Sequence, residues 1–230
     1  MGELRLYAIG IDEVRGMFGT SGAHAERLRG IAQAALAPDA STPSAAGARK
    51  PGGGRPGGLL TKLGPIFKRP PAALVISPTQ PTPEDLEVLL AGSYVPPART
   101  GATWRMLEIL VQGCAWGSTS VRLDRQSMDE LDFALARGGV SSASGLRHLL
   151  SCTTGVNLLP VQGLTVGWYP HQKALAMAAA YRAALPEVNT SGQQEIVGAL
   201  VGWMDSFGDW TATAVAQGRP VPDLVGFWAS

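Results

Sequence analysis

Leu224-Val225-Gly226-Phe227-Trp228, near the C-terminal end of the 230-residue chain, reads as a strand, and Leu4-Arg5-Leu6-Tyr7-Ala8-Ile9 near the N-terminus reads as its counterpart. In the second segment Leu4, Leu6 and Ala8 alternate with Arg5, Tyr7 and Ile9, so apolar side chains fall on both faces. A strand of that kind is covered on both sides. Most of the intervening sequence has helical period. The expectation is an α+β fold: a mostly helical single domain with a small sheet that joins the N- and C-terminal strands.

Leu164-Thr165-Val166-Gly167-Trp168 reads as an internal strand, after which Pro170 opens a helix through Leu175, Ala178, Tyr181 and Leu185. Thr82-Pro83-Glu84-Asp85 is a helix start with a cap, a proline at the first position and then acids. Further helices are expected from Ser21, around Trp104 to Val111, from a cap at Ser127, and around Leu146 to Leu150. The longest is expected to run unbroken from Gln193 to Gln217, with Trp203, Phe207 and Trp210 on its apolar stripe. Ser118, Thr119 and Ser120 read as a polar turn, since Gly117-Ser118 lacks the frame that exposes a serine nucleophile.

With 45% hydrophobic residues the chain can bury a sizeable core. Its net charge of +1 hides an asymmetry, because no acid occurs between Asp39 and Glu84 while Arg49, Lys50, Arg55, Lys62, Lys68 and Arg69 all fall there. Residues 38–73, rich in Gly and Pro, read as a flexible basic insertion. The six cations are its candidate partner-binding residues, and an acidic protein surface is the expected partner. RNA or an anionic membrane, reached through residues 49–69, is the competing target. No specific nucleic-acid recognition is expected, because the basic stretch has Phe67 as its one aromatic and no reading helix is evident. Gly52, Gly54 and Gly57 satisfy a dinucleotide spacing, but their Pro/Gly/Arg flanks provide neither the strand nor the helix that such a site needs.

Candidates for chemistry are few. Cys114 and Cys152 form no metal- or redox-type pair and read as lacking a histidine neighbour. His171, at a helix start after Trp168-Tyr169-Pro170, is the best placed of three histidines to act as a hydrogen-bonding group or base, with Arg147 and His148 as further candidates. Asp205 and Asp209 are expected four residues apart on one helix face. Together with Trp168, Tyr169 and His171 they define a candidate pocket, and a small-molecule hydrolase or transferase using His171 is the enzymatic alternative. No motif calls for a cofactor or a metal ion. The N-terminus lacks a signal-peptide apolar region, and apolar runs break well short of the roughly 18 residues of a membrane span, so a cytoplasmic protein with reduced thiols is expected.

Glu130-Leu131-Asp132-Phe133-Ala134, Gly145-Leu146-Arg147-His148-Leu149-Leu150, Gly167-Trp168-Tyr169-Pro170-His171 and Val225-Gly226-Phe227-Trp228 occur in an order that resembles the YfbM-like family of bacterial proteins and its actinobacterial relatives, mainly over residues 126–230. The resemblance implies a compact α+β domain. It also implies a non-enzymatic protein-binding module, of the immunity type that neutralises a bacterial toxin, and it carries no catalytic residues. Residues 37–83 depart from the family pattern.

Overall fold

The computed structural model describes residues 2–37 and 79–230. The basic segment Arg49 to Arg69, the insertion 38–73 as a whole and the Gly52–Gly57 spacing therefore lie outside the described residues.

Four strands, β1 (Glu3–Ile9), β2 (Gly117–Arg122), β3 (Leu164–Tyr169) and β4 (Asp223–Ala229), form one sheet in the order β2-β1-β4-β3. Every neighbouring pair is antiparallel. The two strands from opposite ends of the sequence sit side by side at its centre, with Leu6 opposite Gly226 and Tyr7 opposite Val225. Helices cover both faces, so the double-sided apolar pattern of β1 has a direct cause: Leu4, Leu6, Tyr7, Ala8 and Ile9 are all buried. The expected mostly helical α+β domain is what forms.

On one face Tyr7, Ile9, Val225 and Phe227 pack against α1 (Ile11–Arg15), α2 (Gly22–Leu36), α3 (Pro83–Leu90) and α4 (Thr100–Cys114). On the other, Leu4, Leu6, Ala8, Tyr169 and Leu224 pack against α5 (Arg125–Arg137), α6 (Leu146–Ser151), α7 (His171–Ala184) and α8 (Ser191–Met204). A last helix, α9 (Phe207–Ala216), leads back to β4. No helix among the described residues is long and apolar enough to cross a membrane.

Helix starts follow local chemistry. Thr82 accepts from Asp85 N while the Asp85 carboxylate accepts from Thr82 N, closing a capping box before Pro83 as expected. Three expectations need correction. Asp124, not Ser127, caps α5, and its carboxylate accepts the Ser127 N–H. Its place two residues after the end of β2 left no room for a later start. Ser118 to Ser120 lie in an edge strand rather than a turn, paired with Tyr7 to Arg5. The expected single helix from Gln193 to Gln217 is two, broken at Asp205-Ser206, where poor helix formers follow one another up to Gly208. Trp203, Phe207 and Trp210 nonetheless stay together across the break, with ring centroids 5.4–5.6 Å apart.

Candidate functional site

Gly167 and Gly226 stand opposite each other on β3 and β4. A Cβ at Gly167 would lie 2.0 Å from the Leu149 carbonyl oxygen, and one at Gly226 would lie 3.2 Å from the Leu149 side chain. The two glycines thus form a trough in which α6 rests directly on the sheet. The start of α6 is held by Asp132 of α5, whose carboxylate accepts the N–H groups of Leu146 at 2.8 Å and Arg147 at 2.9 Å. Burial pushes the Asp132 carboxyl above its ordinary range despite those two bonds.

This close docking brings His148 over Tyr169. His148 Nδ1 lies 3.0 Å from the Tyr169 hydroxyl, 3.4 Å from Lys173 Nζ and 3.6 Å from Cys152 Sγ. The Tyr169 hydroxyl donates to the Ala143 carbonyl at 2.8 Å, with the Gly145 carbonyl 3.2 Å away. Its one proton has the main-chain carbonyls and His148 Nδ1 as acceptors within reach, and rotation of the hydroxyl chooses between them. Burial, followed by the nearby Cys152 and Asp132, raises the Tyr169 phenol well above its usual value, so the ring stays neutral. Lys173 sits on the Tyr169 ring face, with Nζ 3.9 Å from the centroid. Tyr169 is fully buried, whereas His148, Cys152 and Lys173 are each partly accessible. A hollow of about 340 Å³ adjoins the group, lined by Asp132, Val140, Gly145, Arg147, His148 and Ser151.

The arrangement has the elements of nucleophilic chemistry: a thiol, a ring nitrogen near it, and a third group that orients the ring. Sequence reasoning placed Tyr169 and His148 among its candidates but missed Cys152 and Lys173. The spacing of His148 and Cys152, one helical turn, was the available signal, and the reading of Cys152 as lacking a histidine neighbour is corrected.

The remaining candidates are held apart. His171 Nδ1–H donates to the Pro222 carbonyl at 2.9 Å and its ring lies against Phe207. Its main-chain N–H donates to Asp223 Oδ1. Trp168, next to Tyr169 on β3, faces the opposite side of the sheet, donates its indole N–H to the Thr153 carbonyl at 2.8 Å and lies beneath Arg15. Arg147 makes a two-point pair with Asp129 on the surface, which holds the Asp129 carboxyl below its ordinary value. Asp205 pairs with Arg182 beyond the end of α8, while the exposed Asp209 opens α9. Asp205 and Asp209 therefore share no helix, and the pocket expected from Trp168, Tyr169, His171, Asp205 and Asp209 does not assemble. Both cysteines are free thiols.

The fold and this junction define a small antiparallel sheet enclosed by helices, with its one mixed thiol–imidazole–ammonium cluster of the described residues where α6, β3 and α7 meet. Residues 68–229, well over half of the chain, match the family model described as a domain of unknown function, DUF7691, and the chain belongs to that family. The match begins at Lys68, so Lys68 and Arg69 fall inside the family domain and Arg49, Lys50, Arg55 and Lys62 precede it. No curated protein and no solved structure matches the chain.

Proposed function

We propose that this protein is a binding module whose target is another protein with an acidic surface, engaged through Arg49, Lys50, Arg55, Lys62, Lys68 and Arg69. The observation that carries the reading is the partition of charge. Residues 38–78 hold those six cations and one acid, a net +5, whereas the whole chain is +1, which leaves −4 for the rest. Within that rest, arginines are already engaged: Arg15 with Asp12, Arg29 with Glu26 and Glu87, Arg99 with Asp85, Arg147 with Asp129, Arg182 with Asp205 and Arg219 with Glu13. The chain's excess positive charge is thus concentrated in one sequence segment, beside a remainder of opposite net charge.

The YfbM-like resemblance adds the narrower form of the reading, an immunity-type protein whose partner is a bacterial toxin acting in the cytoplasm. The test is affinity capture from the native cell with the full chain and with a variant in which all six cations are Gln. The expected result is a stoichiometric acidic protein held by the wild type, released by added salt, and lost with the variant. Equal capture by both chains, or retention of RNA or anionic vesicles in place of a protein, overturns the reading.

A further inference from the structure

We infer that Cys152 is a nucleophilic thiol and a site of oxidative modification by peroxide, with His148 as its proton acceptor, Tyr169 as the group that orients His148, and Lys173 as the neighbouring cation. The inference is independent of the basic segment. It rests on four side chains from α6, its C-terminal cap, β3 and α7 that meet at one ring nitrogen.

Each member has a distinct task. His148 Nδ1 is 3.6 Å from Cys152 Sγ, within reach for a thiol proton, and 3.0 Å from the Tyr169 hydroxyl. Once the ring has taken the thiol proton, the Tyr169 hydroxyl turns its own proton to the Ala143 carbonyl and its oxygen accepts Nδ1–H. The imidazolium is thereby fixed in place, as the third member of a nucleophile–base–orienter set requires. Lys173 Nζ, 3.4 Å from the same nitrogen, holds a positive charge beside the pair, which stabilises the hydroxide that peroxide expels. Asp132 faces the cluster from α5, but its two oxygens are taken by the Leu146 and Arg147 N–H groups.

The electrophile class follows from the proton supply. An alkylating agent needs no proton for its leaving group, whereas peroxide expels hydroxide, which does. His148 takes the Cys152 proton; the thiolate attacks one peroxide oxygen; the O–O bond breaks; and the departing hydroxide receives the proton from His148. Sulfur is oxidised by two electrons and peroxide reduced by two, so Cys–SH and hydrogen peroxide give Cys–SOH and water. Peroxide is also small enough for a half-buried sulfur.

Cys114 is an internal contrast. It is 4% exposed, and burial raises its thiol. It has none of the four-group setting and is expected to stay inert.

The test exposes the full chain to hydrogen peroxide, traps sulfenic acid with dimedone, and follows the two cysteine-containing peptides by mass spectrometry. Folded Cys152 is expected to label at least about tenfold faster than the same residue in urea-unfolded chain, and about tenfold faster than in H148Q. K173M, which keeps the aliphatic stem, is expected to slow labelling several-fold, with Cys114 unlabelled throughout. A variant that merely loosened the fold would instead expose Cys114. Labelling of folded Cys152 no faster than in urea, or unchanged in both variants, overturns the inference, and the folded-against-urea comparison decides it even if both variants unfold.

Discussion

Asp223 accepts the main-chain N–H of His171 at 2.8 Å, which makes the histidine most suggestive of catalysis part of a helix start. The second carboxylate oxygen of Asp223 accepts the Ile11 N–H, also at 2.8 Å. Helices α1 and α7 begin after Gly10 and Pro170, neither of which has a side chain able to cap. One carboxylate at the head of β4 supplies what both lack. Asp223→Ala is therefore expected to lower stability by about 2–4 kcal/mol, two capping losses of ordinary size. Asp223→Asn, which keeps one acceptor, should lose about half as much. Urea denaturation of both variants checks the order, and equal losses would refute shared capping.

Gly117 and Trp210 form a second contact that depends on a missing side chain. A Cβ at Gly117 would lie 2.2 Å from the Trp210 ring, which covers the start of edge strand β2. Gly117→Ala is expected to cost about 1–3 kcal/mol by displacing that ring. The cost should shrink when Trp210→Ala is already present, so a double-mutant cycle by thermal unfolding would give a clear coupling. Additive losses would place the strain elsewhere.

What could be read from residue order was whatever is local. β1, β3 and β4 announce themselves through continuous apolar and aromatic runs, and the box at Thr82 and Asp85 through four adjacent residues. β2 escaped notice because an edge strand needs only alternate burial. Thr119 and Val121 turn inward while Ser118, Ser120 and Arg122 face solvent, and serine is a common turn residue. The junction around His148 was hidden for a different reason. Tyr169 and Lys173 lie 21 and 25 positions away, and they meet His148 only because two glycines on neighbouring strands let a helix sink onto the sheet. His171 and Asp205 misled in the opposite direction, since their polar atoms complete the fold.

Gly167 therefore links packing to the reactive thiol. A methyl group there would meet main chain, the Leu149 carbonyl at 2.0 Å, which cannot swing aside as a side chain can. Gly167→Ala is expected to lift α6 from the sheet and cost about 3 kcal/mol or more. In whatever fraction stays folded, His148 should part from Tyr169, and dimedone labelling of Cys152 should fall toward the H148Q level. A Gly167→Ala chain with wild-type stability and labelling would contradict the close docking of α6.

Strong acid should remove what the buried carboxylate of Asp85 contributes. Burial alone would raise its carboxyl, but hydrogen bonds from Arg99 and Thr82, with the charge of Arg99, outweigh it and hold the group below its ordinary value. A carboxyl depressed in the folded state binds its proton more readily once unfolded. Its stabilisation is therefore fully present above the unfolded value of about 3.9, and it is lost as pH falls through the lower folded value. Asp85→Asn removes the titration, weakens the capping box and leaves Arg99 without its buried carboxylate, so a loss of about 2–3 kcal/mol at neutral pH is expected. That deficit should narrow on acidification from pH 5 toward pH 2, because the wild type loses what the variant never had. Urea midpoints of the two chains at several acidic pH values measure the gap, and a constant gap across that range would mean that Asp85 does not carry the charge assigned to it.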